Sequence, residues 1–238
     1  MRFTNLAESF GAAERWLLPG ACLLCGGYAG PSDPLACALC QHRWVALPHP
    51  QCARCGHPLS GVAPECRLCL NWPDGFQRAR SAVWLFGTAR DAVHQLKYGG
   101  WWRLAEPMAA RMACCLPPAA CSLVPIPLAP RRRRLRGYNQ AEAIARALAH
   151  LTGIRVEPDL LSRARETRTQ TALTPEERHA NIAGAFRPGH AVQGRRVLLV
   201  DDVFTTGATL AAAAAVLLEA GAADVDAVTF ARARPPLS

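Results

Sequence analysis

The sequence predicts an α/β protein: a central parallel sheet flanked by helices, with a small cysteine-rich module ahead of it. Three observations support this. A continuous apolar run, Val197-Leu-Leu-Val200, ends in Asp201-Asp202 and passes through a short turn into an alanine-rich run from Ala208 to Ala220. A second apolar run, Ser122 to Pro127, leads through an arginine-rich segment into a helical run from Ala141 to Leu151. Eight of the 11 cysteines fall into four C-x-x-C pairs before residue 70. Strands buried on both faces read as unbroken apolar runs, and their alternation with helical segments indicates parallel βαβ units.

Taken in order, residues 1–20 mix Glu8, Glu14 and Arg15 among apolar positions, the pattern of an amphipathic helix rather than a signal peptide. No apolar run approaches the roughly 18 residues of a membrane span. With no targeting segment, a cytoplasmic location is expected. The knuckles follow: Cys22/Cys25, Cys37/Cys40, Cys52/Cys55 and Cys66/Cys69. Two thiolates three apart on a tight turn grip one side of a tetrahedral metal, and a second knuckle closes the site. Eight thiolates make two closed sites, and Zn²⁺ is the ion that such tetrahedra favour. Disulfides fit a reducing compartment poorly, and the spacings are not those of ferredoxins. Sequential pairing of knuckles is simplest; interleaving is the alternative. With no open coordination position, the metal is structural. Cys114, Cys115 and Cys121 lack the spacing and read as buried small hydrophobes.

Asn71-Trp-Pro-Asp-Gly75 is turn-rich and marks a boundary between a module at 21–72 and a larger domain at 76–238. Beyond it, Arg80–Phe86 alternates as a strand, Thr88–Lys97 and Trp101–Leu116 read as helices, and Ser122–Pro127 as a strand. Residues 131–140 form an arginine-rich loop before the helix at 141–151. Pro158–Ala164 reads as a strand, and the polar stretch that follows is longer than ordinary connections, which suggests a lid. Thr174-Pro175 has the form of a helix start; a disordered insertion is the alternative. Asp224–Ala233 supplies a last strand.

The turn after Asp201-Asp202 sits where a strand's carboxyl end meets a helix N-terminus, where free N–H groups and the dipole favour an anion. Thr205, Thr206 and Thr209 add hydroxyls, Gly207 lets the backbone approach closely, and Val203 and Ala208 complete the cradle. Paired carboxylates suit a vicinal diol or a bridging cation. A 5'-phosphorylated ribose offers both groups, and no Gly-Lys-Ser/Thr supports a P-loop instead. The stretch resembles the phosphoribosyl pyrophosphate (PRPP) signature of type I phosphoribosyltransferases. Net charge is +9, and five arginines crowd into 131–136. Arg134 and Arg136, nearest the Gly137 turn, are the candidates for gripping pyrophosphate, with Lys97, the chain's one lysine, and Mg²⁺. Arg131 and Arg132 are expected to form a solvated face.

Over nearly its whole length the chain resembles the ComF/GntX family of competence-associated phosphoribosyltransferase-like proteins. The resemblance rests on the four knuckles, Leu96-Lys97-Tyr98-Gly99, Val124-Pro-Ile-Pro127, Arg136-Gly137-Tyr138-Asn139-Gln140, Arg165-x-x-x-x-Gln170, Arg178-x-x-Asn181, Gly184-Ala-Phe186, and Asp201-Asp202 through Thr209. Tyr138 stands where the family more often has Phe. The resemblance implies a double zinc ribbon followed by a type I phosphoribosyltransferase fold, with a hood at about 165–186 bearing Arg165, Gln170, Arg178 and Asn181. It also implies a part in natural transformation, handling single-stranded DNA with a competence helicase; some members are linked instead to gluconate utilisation. The alternatives are a DNA-handling accessory without turnover, a PRPP-sensing regulator, and a nucleobase-salvage enzyme.

Overall fold

A computed structural model of the chain describes residues 20–30, 35–59, 66–118, 122–164, 184–190 and 192–234. The N-terminal helix expected within 1–20 and most of the expected hood lie outside the described residues.

A five-stranded parallel sheet runs in the order β1 (Phe76–Trp84), β7 (Asp224–Arg232), β6 (Arg196–Phe204), β2 (Ser122–Pro125), β3 (Arg155–Val156). A separate antiparallel pair joins β4 (Leu161–Arg163) to β5 (Phe186–Pro188). Among the described residues the α-helices are α1 (Ala38–His42), α2 (Gly87–Tyr98), α3 (Ala105–Met112), α4 (Pro130–Arg136), α5 (Gln140–Thr152) and α6 (Ala208–Glu219). β6 is central, and successive side chains point to opposite faces. Val197 and Leu199 enter one apolar core with α6, whereas Leu198 and Val200 enter the other with α2, α3 and α5. This explains the unbroken apolar run. The alanines of α6 let that helix lie close against the sheet, with Leu210, Ala211, Ala213, Ala214 and Leu217 buried.

The cysteine module is built into this frame. Cys55, Cys69 and Trp72 share the core of α6. On the opposite face Trp44 meets the Phe230 ring edge-on at 4.9 Å, and Leu23, Leu24 and Leu35 pack against the same core.

Several expected elements shift. β1 starts at Phe76, ahead of the expected Arg80, because Phe76 and Ala79 are buried in the pairing with β7. The helix expected over 101–116 is a 3₁₀ turn, then α3, then another 3₁₀ turn. Pro107 lacks an N–H and fits only near a helix start, which places α3's first turn at Ala105. The strand expected from Pro158 begins with a 3₁₀ turn and becomes β4 at Leu161. Cys114 is exposed and Cys115 half-buried, because both lie in the terminal 3₁₀ turn at the surface rather than in the core. Cys121 is outside the described residues. The arginine-rich segment is a helix, not a loop: Pro130 sets its first turn and Gly137, at φ 82°, caps its end in the left-handed region.

Candidate functional site

The carboxyl ends of β2 and β6 open onto a cleft of ≈ 980 Å³. Residues from α2, α4, α5 and the turn into α6 line it, among them Lys97, Tyr98, Arg132, Arg136, Gln140, Asp201, Asp202, Thr205, Gly207 and Thr209.

The turn itself is short. β6 continues through Asp201 and Asp202 to Phe204, so the carboxylates lie within the strand end rather than after it. Gly207 is the N-cap of α6 at φ 82°. A Cβ there would lie 2.8 Å from Phe204 Cζ and 3.0 Å from Trp72 Cζ2. Both the backbone conformation and the space therefore require glycine. Thr206 Oγ1 accepts the Ala208 N–H at 3.4 Å, which makes it a local cap rather than a cleft-facing group. Thr205 is exposed at the rim. Val203 also lines the cleft, whereas Ala208 is buried behind it.

Asp202 is the hub of a polar chain. Lys97 Nζ lies 2.6 Å from its Oδ2. Gln140 donates from Nε2 to Oδ1 at 3.2 Å, and Gln140 Oε1 accepts from Arg136. The Arg136 guanidinium in turn lies over the Tyr98 ring, 5.3 Å from its centroid. Burial opposes the charge of Asp202, but attraction to Lys97 and its hydrogen bond outweigh that and hold the carboxyl below its ordinary value. Burial likewise opposes the Lys97 ammonium, and Asp202 more than compensates, raising it. Burial and the charge of Asp202 push Asp201 well up, although Asp201 Oδ1 accepts the Asp202 N–H at 2.9 Å. The two adjacent carboxyls are thus driven apart, Asp202 downwards and Asp201 upwards.

α4 and α5 position the basic side of the cleft. Residues four apart share a helix face, and those two apart do not. Arg132 and Arg136 line the cleft; Arg134 is exposed and does not. Of the pair favoured from sequence, one therefore faces the cleft, and Arg132 occupies the place given to Arg134. Arg133 turns the other way, 3.9 Å from Glu142. The junction to α5 is fixed by Asn139, whose side chain accepts from Ala141 N at 3.1 Å and donates to Ile126 O at 2.9 Å. Tyr138 donates its hydroxyl proton to Leu96 O, tying the junction to the end of α2 that carries Lys97. A second cavity of ≈ 720 Å³ lies against α3 and α5, around Trp102, Glu142 and His150, and contains none of the Asp202 chain.

The four expected hood residues, Arg165, Gln170, Arg178 and Asn181, lie outside the described residues. The ends of their segment meet where Ala164 N donates to Ala185 O at 2.8 Å. Arg163, beside that junction, lines the cleft.

The eight knuckle cysteines form two groups, Cys22/Cys25/Cys37/Cys40 and Cys52/Cys55/Cys66/Cys69, each with its sulfurs within 4.8 Å of one another. Pairing is therefore sequential. Sulfur–sulfur separations are 3.8 Å for Cys22–Cys40, Cys25–Cys37 and Cys52–Cys69, and 3.4 Å for Cys55–Cys66. A tetrahedron with metal–sulfur bonds of about 2.3 Å has edges of about 3.8 Å, so both groups could hold Zn²⁺. One thiol in each is primed as a thiolate. Burial raises Cys22 and Cys52, but backbone N–H donors (Cys37, Leu24 and Cys25 to Cys22; Cys55 and Arg54 to Cys52) bring each down to about 7.

Sequence reasoning missed three parts of this site. Gln140 was seen only as a motif letter, Arg132 as solvated surface, and Trp72 as linker. The helical spacing of Arg132 and Arg136 was the available signal for one of them.

Comparison with known proteins agrees with this architecture. A family model described as "Phosphoribosyl transferase domain" matches residues 135–236, so the sheet and the cleft define a phosphoribosyltransferase-class domain. The chain is 35% identical over 217 residues to the "DNA utilization protein YhgH" of Salmonella typhi, covering 87% of this chain and 95% of that one. It is 26% identical over 223 residues to "Competence protein F" of Haemophilus influenzae (89% and 96% covered) and 28% over 214 to "Competence protein ComFC" of Bacillus subtilis (84% and 85%). It belongs to the ComF/GntX family. Among solved structures, TT1426 from Thermus thermophilus matches with a TM-score of 0.31 and 19% identity, over 58% of this chain and 85% of that one.

Proposed function

We propose that this protein binds PRPP with Mg²⁺ in the cleft, as a phosphoribosyltransferase-type protein serving DNA uptake or use. One observation carries the reading. A carboxylate pair, a strand–turn–helix junction with a left-handed glycine, a lysine and the α4 arginines Arg132 and Arg136 all line one cleft. The backbone of Thr205–Thr209 and the hydroxyls of Thr205 and Thr209 receive the 5'-phosphate, and Asp201 and Asp202 receive the ribose hydroxyls. Lys97, Arg132 and Arg136 face the pyrophosphate. Mg²⁺, when bound, would supply charge neutralisation on the pyrophosphate oxygens, and Asp201 and Asp202 are the carboxylates that would help hold it. When the C1–O bond breaks, its electron pair leaves with pyrophosphate, and the cationic side chains offset that charge while the sugar gains oxocarbenium character. The segment at 165–181, with Arg165, Gln170, Arg178 and Asn181, is proposed to close over the cleft and exclude water.

The link to DNA comes from the relatives' names, "DNA utilization" and "Competence". Among the described residues no helix is long and apolar enough to cross a membrane, which accords with work in the cytoplasm. Incubation with PRPP, Mg²⁺ and a panel of bases, with pyrophosphate release as readout, tests turnover. Calorimetry tests binding: the variant with both Asp201→Ala and Asp202→Ala should remain folded and lose PRPP, and an unchanged affinity would overturn the assignment.

A second reading, a single-stranded-DNA-handling module, is favoured by exposed rings beside the cleft. Tyr98 is 71% exposed, Trp102 56% and Trp101 43%, with arginines of α4 adjacent. Such rings suit base stacking and the arginines suit backbone contact. A salt-dependent affinity for oligonucleotides, lost when Arg131–Arg134 are replaced, is the expected result.

A further inference from the structure

The second four-cysteine group sits directly behind the turn at the cleft, and two struts join them. The first is Arg232, the last residue of β7, 1% exposed. Its Nη1 donates to Cys55 O at 2.7 Å, its Nη2 lies 3.9 Å from Cys55 Sγ, and its guanidinium lies over the Phe204 ring, 4.0 Å from the centroid. Phe204 closes β6 and pairs with Arg232 in register. The backbones are locked as well, since Ala233 N donates to Phe204 O at 2.8 Å. The second strut is Trp72, whose N–H donates to Cys69 O at 3.3 Å. Its ring stacks on Phe76 at 4.2 Å, lies 6.2 Å from Phe204, and abuts the position a Cβ on Gly207 would take. Arg54, between Cys52 and Cys55, ties the two struts together. It donates to the carbonyls of Cys69, Trp72, Pro73 and Phe76 and lies 5.8 Å from the Trp72 ring.

Among the described residues the first group has no comparable connection to the turn. Cys22 and Cys40 form their own small cluster with Ala29, and the group docks on the opposite face of the sheet, where Leu23, Leu24 and Leu35 pack and Thr88 Oγ1 donates to Cys40 O at 3.0 Å. Thr88 is at the opposite end of α2 from Lys97.

A divalent ion on four thiolates carries a net charge of about −2. Arg232 is the buried cation in contact with that charge, and it stacks on the ring that shapes the turn. Metal at this group holds the Cys52–Cys55 knuckle in place, the knuckle holds Arg232 through the Cys55 carbonyl, and Arg232 holds Phe204. We propose that Arg232 is a positioning residue that makes the phosphate turn depend on metal in the second group, so that soft-metal occupancy there sets affinity for the anionic ligand of the cleft. The ligand's identity rests on the PRPP reading above; the coupling between metal and turn does not.

The test uses the full chain loaded with two metal ions, compared with Arg232→Met and Arg232→Lys. Amide exchange is followed by mass spectrometry over Phe204–Thr209, PRPP affinity by calorimetry, and metal release by a chromogenic chelator. Arg232→Met should retain both ions yet exchange about tenfold faster across the turn and bind PRPP about tenfold more weakly, with partial recovery in Arg232→Lys. Because coupling is reciprocal, PRPP should slow chelator extraction of one ion of the two in the parent chain and of neither in Arg232→Met. Should Arg232→Met fail to fold, faster exchange at the turn after partial metal extraction from the parent chain supports the coupling. Exchange unchanged within about twofold, in Arg232→Met or after extraction of both ions, overturns it. If the parent chain does not bind PRPP, the functional reading fails, while the exchange data still decide the coupling.

Discussion

Replacing Lys97 with Met removes the cation from the polar chain at the centre of the cleft. At 2.6 Å the Lys97–Asp202 attraction is about 6 kcal/mol at an effective dielectric of about 20. Desolvation offsets much of it, since Asp202's side chain is 3% exposed and Lys97's 24%. The variant leaves that carboxylate buried with Gln140 still donating to it. Breaking one half of a buried pair costs about 3–5 kcal/mol, and the open cleft places this pair at the lower end. The expected loss near neutral pH is thus about 3 kcal/mol by urea denaturation, with a coupling of similar size in a double-mutant cycle with Asp202→Asn. The pH profile gives a second check. Asp202 is held below its ordinary 3.8, so its contribution is full above that value and falls away as acid carries the pH through the lower folded value. Lys97 is held above its ordinary 10.5, so its contribution is full below that value and is lost as pH rises through the higher one. Without Lys97, burial lifts Asp202 instead, and the variant should gain stability relative to the parent on acidification towards about pH 4. A coupling below about 0.5 kcal/mol, or parallel pH profiles, would refute the reasoning.

Three further perturbations follow from the same geometry. Gly207→Ala should cost about 2 kcal/mol or more in thermal or urea melts, from the left-handed backbone and the crowding by Phe204 and Trp72, and should also weaken ligand binding in calorimetry. Tyr138→Phe removes one hydroxyl bond to Leu96 O and should cost only about 1 kcal/mol, with the helix junction otherwise intact. Metal analysis should find about two zinc ions per chain, and chelation of both should expose the core that Cys55, Cys69 and Trp72 share with α6, read as dye binding and a lower melting temperature.

Much of the fold was legible because its strongest signals are local. Val197–Val200 is apolar throughout since both faces are covered, and the Ala208–Ala220 run has the composition of a buried helix, observed as Ala208–Glu219. The cysteine spacing marked the ligands, but the choice between sequential and interleaved pairing depends on how the knuckles dock, which spacing does not encode. At 131–136 charge density drew attention away from backbone signals that were present, a proline at the first helical position and a glycine after the last. Reading the segment as a loop also obscured which arginines share a face, hence the choice of Arg134 over Arg132. Gln140, Trp72 and Arg232 were out of reach for another reason. Each acts through a contact with a residue far away in sequence, such as Arg232 with Cys55, and no periodicity reveals a partner 177 positions away.

The two-sided burial of β6 has a consequence for how this chain can vary. Leu198 and Leu199 are adjacent in sequence, yet their buried neighbours form two sets with no member in common. Loss of volume at Leu198 is felt by α2, α3, α5 and the residues around the first cysteine group, and at Leu199 by α6 and the second cysteine group. Since the two share no buried partner, their penalties are expected to combine close to additively, which a double-mutant cycle would check. Compensating changes are therefore confined within a layer, and the two sides of the sheet are free to drift separately, with β6 as the partition between them.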